Sequence, residues 1–367
     1  MATLCLFGAY DPDAPRLKRL VAGWEAQGGT VISCHAPMWP DAGARADLPG
    51  SGGMRAYGAR WLVAQVRLWE LREAVKRADV VLVPYPGHMD MPLARRITRW
   101  YQKPLLFDPF ISMWDTAVGD RKLYAPKSDK AWYLQALDWI ALHSADGVLA
   151  DTAAMAEFYA LLSTLPDKRF TVVPVGADES LFVPAPEAPE AHEVLFYGRM
   201  IPLHGIPTIV EAARRLPDVS FHLVGEGQVD VDSLIANLPN VRRTRSLPYA
   251  ELPGAIAQAS LCLGIFSGGD KASRVVPHKI YEAAAMGKAI VTADTPAIRE
   301  AFPADALALV PPADPEALAS TIRTLLADPT ARRRLGNAAR ARFEDAFSTQ
   351  AIGEALVEAV GKLGVRG

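Results

Sequence analysis

The segment that most constrains the fold is residues 261–300, where an apolar run, a charged loop, an amphipathic stretch and a second apolar run follow one another. The first run, 261–266, is too short for a free-standing helix and ends in a Ser-Gly-Gly turn, which indicates a buried parallel strand. Pro277 suits the first turn of a helix, and Gly287 ends that helix. With a second strand at 289–292, the segment predicts a strand, helix, strand unit.

The charged loop of this unit is predicted to bind an anion. It lies at the carboxyl end of a strand, where open α/β sheets bind their ligands. Lys271, Arg274 and Lys279, together with the N-terminus of the helix, concentrate positive potential that suits a phosphate. Glu282, one turn into the helix, suits hydroxyl groups, so a sugar phosphate or a nucleotide sugar would satisfy both features. The alternative is an ordinary βαβ unit with a solvated basic loop.

The chain divides into two α/β halves of similar size. Its 367 residues are enough for two domains. Strand and helix patterns alternate through residues 1–183, stop in the proline-rich stretch PAPEAPEAHE at 184–193, and restart at 194. We therefore expect two doubly wound, Rossmann-like domains joined by a linker at 184–193, with a ligand cleft between their strand ends.

Composition excludes several classes of protein. A formal net charge of −2 argues against the broad basic surface of a nucleic-acid-binding protein. Cys5, Cys34 and Cys262 fall at apolar, strand-like positions without metal-ligand spacing, which predicts buried thiols in a reducing compartment. The N-terminal sequence has neither a basic region before an apolar core nor a run long enough to cross a bilayer, so we expect a cytoplasmic protein.

Several loops of the first half follow predicted strands. Asp108, Trp114 and Asp115 lie in one of them, where carboxylates and an aromatic ring would suit a polyhydroxylated ligand; alternatively, Asp108 before a proline is only a turn residue. Asp151 or Thr152 is expected to cap a helix. Other strand-end positions are Gly8, Tyr10 and His88.

Two further segments of the first half carry predictions. Residues 37–57 are rich in Gly, Pro and Asp and predict a surface loop, followed by a helix over 59–77. The helix over 91–102 combines Arg95, Arg96 and Arg99 with Trp100 and Tyr101, a composition typical of interfacial helices, although a solvated face is the alternative.

Three loops of the second half are predicted to converge at strand ends. Arg199, in the first, offers a planar fork for phosphate oxygens. Gly225 and Gly227, in the second, let the backbone approach a base or ribose, and residues 269–279 form the third. Asp230 and Asp232 have the spacing of a metal-diphosphate motif, but their context predicts a solvated helix start.

Six stretches together resemble the group 1 or family 4 glycosyltransferases of the GT-B fold. They cover nearly the whole second half and the end of the first, and their combination is specific where each alone would be weak. They are YGRMIPLHGIPTIVEAA, HLVGEGQ, PYAELPGAIAQASLCLGIF, PHKIYEAAAMGKAIVTADTPAIRE, ADGVLADT and VVPVGADESLFVP.

The resemblance implies a retaining transferase that takes a sugar from a nucleoside diphosphate sugar. The donor would be held mainly by residues 194–348, and the acceptor, a saccharide or lipid-linked hydroxyl compound, by residues 1–183. Residues 349–367 would form a helix that crosses back to the first domain. No cofactor or metal is implied, because lysines and arginines would stabilise the departing diphosphate.

Residue roles follow from the same resemblance. Arg199 would contact the diphosphate, and His204 stands where the family usually has a lysine. Glu282 matches the second glutamate of the E-x7-E motif, whereas the first falls at Arg274. Either Arg274 contacts the diphosphate while Asp270 or a backbone group contacts the sugar, or the donor binds differently. The implied catalytic residues are Asp108, Arg199 and Glu282; the donor-binding residues are Gly198, His204, Gly225, Gly227, Leu247, Asp270, Lys271, Arg274, Val276 and Lys279; the acceptor-side residues are Gly8, Tyr10, His88, Trp114 and Asp115.

Two other functions remain open. Loss of the first glutamate and of the lysine would suit a non-catalytic nucleotide-sugar-binding or scaffold protein on a degenerate GT-B fold. A GT-B phosphorylase or epimerase shares the architecture, although the sequence has no lysine-anchored cofactor motif to support a phosphorylase.

Overall fold

The computed structural model describes residues 2–38, 50–184 and 193–365. The linker predicted at 184–193 lies almost wholly outside these residues, as does part of the loop predicted at 37–57. Within the described part of the chain, no helix is both long enough and apolar enough to span a membrane.

The first domain is a six-stranded parallel sheet in the order β2-β1-β3-β4-β5-β6. Its central strands are mostly apolar because helices cover both faces of the sheet. The strands are β1 (Thr3–Gly8), β2 (Thr30–His35), β3 (Val80–Pro84), β4 (Leu105–Asp108), β5 (Gly147–Ala150) and β6 (Phe170–Val172). The helices are α1 (Pro15–Ala26), α2 (Gly50–Glu70), α3 (Glu73–Arg77), α4 (Met91–Tyr101), α5 (Asp129–Ser144) and α6 (Ala153–Ser163), with a π-helical turn at Asp115–Asp120.

The second domain repeats this architecture, with a parallel sheet in the order β12-β11-β10-β7-β8-β9. Its strands are β7 (Glu193–Tyr197), β8 (Ser220–Val224), β9 (Val241–Thr244), β10 (Leu261–Leu263), β11 (Ile290–Ala293) and β12 (Ala308–Val310). Its helices are α7 (Ile206–Arg214), α8 (Val231–Ile235), α9 (Leu252–Gln258), α10 (Asp270–Arg274), α11 (His278–Ala285), α12 (Pro296–Ala301), α13 (Pro315–Ala327) and α14 (Pro329–Ala346).

The last helix, α15 (Thr349–Gly361), returns to the first domain and packs on α1. Ile352 and Leu356 are fully buried against Leu17 and Leu20. Glycines allow the close approach of the two helices, since a Cβ added to Gly353 would lie 2.2 Å from the carbonyl oxygen of α1 residue 23. The two parallel sheets and the crossing helix confirm the predicted GT-B fold class.

Three local predictions differ from the structure. Helix α2 begins at Gly50, inside the segment predicted as loop up to residue 57. The helix predicted over 59–77 is divided into α2 and α3, with a break at residues 71–72. The loop of the 261–300 segment contains the five-residue helix α10, which is shorter than the helices that periodicity reveals.

Candidate active site

A cavity of about 690 Å³ lies between the carboxyl ends of the two sheets. Most of its lining comes from the second domain, from the ends of β7 and β8 and the start of α11, and the first domain contributes the opposite wall. Its volume falls in the range that encloses a nucleotide sugar. A smaller cavity beside it shares Pro15, Tyr249 and His278 with the main one.

Two glycines shape the floor of the cavity, at the ends of β7 and β8. Gly198 has φ of 125°, and Gly225 has φ of 135°, a backbone region that favours glycine. A Cβ on Gly225 would lie 2.0 Å from the carbonyl oxygen of Gly198, and a Cβ on Gly198 would lie 3.2 Å from Lys279 Nζ. Glycine at both positions therefore lets the two strand ends meet and leaves the lysine uncovered.

Lys279 is the most unusual side chain of the cavity. It is 5% exposed, and its Nζ has no hydrogen-bond partner in the described part of the chain. The ammonium lies 3.9 Å from the centroid of the Phe196 ring, a cation–π contact. Burial lowers the pKa of Lys279 well below its ordinary value, and Glu282 opposes that shift. A buried donor without a partner in the first turn of α11 points to an anionic ligand.

His204 is a neutral histidine beside this lysine. Its Nδ1 hydrogen-bonds to the carbonyl oxygen of Arg199, so Nδ1 carries the proton. Burial and the positive charge of Lys279 hold the pKa of His204 well below its ordinary value. His204 therefore does not supply the charge of the family's usual lysine, whereas Lys279 places an ammonium next to it. Arg199 is exposed and lines the cavity as predicted.

Glu282 lies inside the cavity with two tyrosines around it. The carboxylate is 4% exposed, and Tyr249 Oη donates a hydrogen bond of 3.0 Å to its Oε1. Burial raises the pKa of Glu282 to about 7, against the lowering effects of Tyr249, Tyr197 and Lys279. Leu247 and Val276 also line the cavity. The arrangement offers an acceptor for hydroxyl groups next to an apolar wall.

Arg274 and Lys271 bond to the first domain. Arg274 Nη2 lies 2.8 Å from Asp115 Oδ1, and its guanidinium stands 4.3 Å from the Phe158 ring centroid. Lys271 Nζ donates to Thr116 Oγ1 at 2.5 Å and lies 3.9 Å from Asp115 Oδ2. Lys271 still lines the cavity, but Arg274 lies outside its lining. Arg274 was predicted to contact the diphosphate. In the structure Asp115 pairs with it across the cleft and keeps its side chain outside the cavity lining.

Asp108, predicted as catalytic, is an ion-pair partner of Arg16. It is 1% exposed and lies outside the cavity lining. Arg16 Nε donates to both carboxylate oxygens at 2.9 and 2.8 Å, and Arg16 Nη1 donates to the carbonyl oxygen of Val173 at 3.1 Å. Both oxygens of Asp108 thus have a donor inside the first domain, and the carboxylate positions Arg16 rather than facing a substrate.

All five predicted acceptor-side residues also lie outside the cavity lining. His88 is 2% exposed, and its Nε2 lies 3.4 Å from Asp138 Oδ1; burial lowers its pKa. Tyr10 is buried and hydrogen-bonds to Ser33 at 2.7 Å. A Cβ on Gly8 would lie 2.7 Å from Asp90 Oδ2, so this glycine packs against a buried carboxylate. Trp114, Gly227 and the exposed Asp270 are likewise absent from the lining.

Asp151 faces the cavity from the first domain, where the sequence predicted only a cap. Of the two predicted cap residues, Thr152 caps α6, accepting from the Met155 amide at 3.0 Å. Asp151 is 6% exposed, and its Oδ1 has no hydrogen-bond partner in the described part of the chain. Its position after β5 is the signal that would have found it, because parallel strands direct their following residues to one edge of the sheet. Tyr197, the last residue of β7, had the same signal, whereas Tyr249 had none.

The interpretation of Asp230 and Asp232 as a helix start is confirmed. Asp230 Oδ1 accepts from the Ser233 amide and caps α8, and Asp232 pairs with Arg243 at 2.6 Å. Across residues 2–38, 50–184 and 193–365, no group of three or more His, Cys, Asp or Glu side chains is arranged to hold a metal ion. The three cysteines are buried free thiols, as predicted.

A family model described as "Glycosyl transferase-like" matches residues 207–358. The chain is also 28% identical, over 284 residues, to the MMP alpha-(1->4)-mannosyltransferase of Mycolicibacterium hassiacum. That alignment covers 74% of this chain and 62% of the relative, so the chain spans less than two thirds of the relative's length.

Solved structures share the fold over nearly the whole chain. Anabaena HepE in complex with UDP superposes with a TM-score of 0.68 and 16% identity, covering 98% of this chain and 100% of that one. Sucrose-phosphate synthase from Thermosynechococcus elongatus superposes with a TM-score of 0.75 and 18% identity, covering 99% of each chain. The family match and the mannosyltransferase relative agree with the resemblance to group 1 glycosyltransferases, and the solved structures show that the chain has the two-domain GT-B fold.

Proposed function

We propose that this protein is a retaining glycosyltransferase that moves a sugar from a nucleoside diphosphate sugar to the hydroxyl group of a glycan, a glycolipid or a small molecule. The observation that carries the proposal is the buried, unpartnered ammonium of Lys279 beside Gly198. A diphosphate would supply the missing partner, and it would restore the charge that burial disfavours.

The diphosphate subsite combines three sources of positive charge. Lys279 lies in the first turn of α11, whose amides have no intrahelical acceptors. Arg199 lines the cavity nearby and offers a planar fork. As the bond to the anomeric carbon breaks, negative charge grows on the diphosphate, and these groups would stabilise it without a metal ion.

The nucleoside would lie against Glu282 and the end of β8. Glu282 is placed to accept hydrogen bonds from ribose hydroxyls, and Gly225 lets a flat base approach the backbone. Leu247 would cover one face of the base. HepE, a structural neighbour, has been solved with UDP and with UDP-glucose, which supports a nucleotide-sugar donor here.

Retention of anomeric configuration is proposed through departure and attack on the same face of the sugar. This route requires no nucleophile from the protein, and it follows from the family resemblance. The acceptor would approach from the first-domain wall, where Phe110 and Asp151 line the cavity. The α-(1→4)-mannosyltransferase relative supports a saccharide as the acceptor.

One observation favours the alternative of a non-catalytic nucleotide-sugar-binding protein. Arg274 replaces the first glutamate of the E-x7-E motif, and Asp115 holds it outside the cavity. The group that would contact the donor sugar is therefore missing from its usual place. Lys271, which lines the cavity one turn earlier, would have to take part of that role.

A two-stage experiment separates these functions. Thermal shift and calorimetry with UDP, GDP, ADP and TDP identify the nucleotide, and the matching nucleotide sugars are then incubated with a panel of saccharide, lipid-linked and small-molecule hydroxyl acceptors. We expect a glycoside product whose anomeric configuration, read by NMR, matches the donor. Nucleotide binding without turnover across the panel would establish the non-catalytic alternative, and no binding of any nucleotide would refute both.

We also propose a cytoplasmic protein that docks on anionic membranes. The basic-aromatic patch, defined as Trp69, Arg72, Arg96, Arg99 and Trp100, lies on α2, α4 and the residues between α2 and α3. Trp100 is 63% exposed, and Trp69 and Trp100 meet edge to face at 5.9 Å. The exposed Arg96, Arg99 and Trp100, beside the half-buried Trp69 and Arg72, match the interface of an anionic bilayer, which would present a lipid-linked acceptor.

A further inference from the structure

The first-domain wall of the cavity contains a buried carboxylate with one oxygen that lacks a hydrogen-bond partner among the described residues. Asp151 follows β5 and is only 6% exposed. Its Oδ1 has no hydrogen-bond partner among the described residues. The neighbouring Thr152 both caps α6 and bonds to the second domain. Its Oγ1 accepts a hydrogen bond from the Met155 amide and donates one of 2.5 Å to the carbonyl oxygen of Arg274.

Arg16, whose charge acts on Asp151, makes no hydrogen bond to this carboxylate. Arg16 directs Nε to Asp108 and Nη1 to the carbonyl oxygen of Val173, and its buried Nη2 has no hydrogen-bond partner among the described residues, so Arg16 acts on Asp151 through its charge alone. Burial raises the pKa of Asp151 to about 7; Arg16 opposes that shift, whereas the charges of Asp108 and Glu300 add to it. The remaining titratable groups that interact with it are Tyr159 on α6 and Tyr281 on α11, both buried.

We propose that Asp151 Oδ1 accepts a hydrogen bond, and then the proton, from the attacking hydroxyl group of the acceptor. This inference rests on the proposed transferase activity and adds a catalytic group to it. A general base must come within hydrogen-bond reach of the proton that it removes, and an unpartnered oxygen on the acceptor-side wall of the cavity meets that condition.

The step balances between the two walls. The acceptor oxygen bonds to the anomeric carbon while the bond from that carbon to the diphosphate oxygen breaks, and the electron pair leaves with the diphosphate. The diphosphate faces Lys279 on one wall, and the hydroxyl proton goes to Asp151 on the other. Asp151 releases the proton to water when the glycoside leaves.

The test compares Asp151→Asn with Asp167→Asn. Asp167 is an exposed aspartate in the short turn Asp167–Arg169 that precedes β6. We expect Asp151→Asn to bind the nucleotide within about threefold of the parent while kcat for transfer falls about 100-fold or more. The parent's kcat should fall about tenfold per pH unit below pH 7, because only the ionised carboxylate accepts the proton, and this limb should disappear in Asp151→Asn. Asp167→Asn should change neither.

A rescue experiment separates catalysis from packing. In Asp151→Ala, added formate should raise transfer several-fold by occupying the vacated carboxylate position, and acetamide should not. Parental kcat and pH dependence in Asp151→Asn would overturn the proposal, as would transfer by the alanine variant that formate leaves unchanged. If the parent protein transfers no sugar, the proposed transferase function fails. If the parent transfers sugar and Asp151→Asn binds the nucleotide and transfers sugar as well as the parent, only the role of Asp151 as the base fails.

Discussion

Arg274 and Asp115 form an ion pair across the cleft, with 2.8 Å between Nη2 and Oδ1. Their side chains are 17% and 6% exposed. Thr152 and Glu300 add two further bonds between the domains, to the carbonyl oxygen of Arg274 and to the Ala153 amide. The helix α10, whose Lys271 lines the cavity, is therefore bonded to the first domain in this conformation.

Removing one partner of this pair should destabilise the protein and weaken coupling between the domains. We expect Arg274→Met to lower the free energy of unfolding by about 3 kcal/mol, since Asp115 is left buried without its cation. Denaturant titration measures the loss, and KM for the donor should rise. Arg242→Met, which removes a surface pair with Glu193, should cost less than about 1 kcal/mol. Equal losses in the two variants would contradict a special role for the cleft pair.

Lys279→Met should remove nucleotide binding while it stabilises the free protein. The substitution deletes a buried ammonium without a hydrogen-bond partner, so the melting temperature without ligand should rise. The affinity for the nucleoside diphosphate should fall at least tenfold. Lys127→Met changes an exposed lysine and should alter neither property. A variant that melts lower and binds normally would show that Lys279 is only structural.

Nucleotide binding should also take up a proton. Burial lowers the pKa of Lys279 in the free protein, and a bound diphosphate would raise it again, so the complex holds more protons than its components. Calorimetry at pH 8 in buffers of different ionisation enthalpy measures this uptake. It should vanish in Lys279→Met.

Tyr249→Phe should raise the pH at which nucleotide affinity begins to fall on acidification. The hydrogen bond from Tyr249 lowers the pKa of Glu282, which burial holds at about 7, so its removal raises that pKa further. If ionised Glu282 binds the ribose, affinity is lost as pH falls through the pKa, and the loss should begin at a higher pH in the variant. Dissociation constants from pH 5.5 to 8.5 measure it. Tyr133→Phe, at an exposed position, should reproduce the parent's curve.

Asp151→Asn should stabilise the free protein at high pH. The folded state raises the pKa of Asp151 from 3.8 to about 7, so between those values the folded state binds more protons than the unfolded state, and stability falls as pH rises. The cost above pH 7 is at most roughly 4 kcal/mol. Melting temperatures at pH 5 and pH 8 should show a difference between variant and parent that is larger at pH 8. The reverse order would mean that the carboxylate is stabilising.

Vesicle binding should depend on Arg96 and Arg99 and not on Arg95. Arg95, which the sequence grouped with them, donates to both oxygens of Asp146 at 2.7 and 2.8 Å. We expect Arg96→Ala/Arg99→Ala to lose sedimentation with vesicles containing anionic lipid at unchanged stability. Arg95→Ala should keep vesicle binding and melt at a lower temperature. Absence of binding by the parent protein would end the membrane proposal.

The strand and helix pattern of the 261–300 segment was predictable because apolar runs, Pro277 and Gly287 are local signals. Helix α10 was not, since five residues are too few to show a period and its position depends on Asp115 and Thr116 in the other domain. The positions of Lys279 and Glu282 in the cavity agree with the prediction, because both lie on one short helix at a strand end.

The choice between Asp108 and Asp151 required the tertiary structure. Asp108 ends β4 and Asp151 follows β5, so the sequence placed both at the same edge of the sheet. The difference between them is Arg16. It lies 92 positions from Asp108 in the sequence and hydrogen-bonds to the carboxylate of Asp108 but not to that of Asp151. The partner of Arg274 is likewise 159 positions away. No local pattern reports which of two similar carboxylates a distant arginine engages.

The packing of α15 on α1 limits how this chain can be recombined with its relatives. The last helix fills an apolar groove of the first domain, and the glycine at 353 permits a contact that any larger residue would block. A chimera that joins the first half of this chain to a foreign second half would bring a foreign terminal helix into that groove. Exchange of donor specificity between relatives should therefore succeed when residues 194–348 are swapped and residues 349–365 stay with their own first domain.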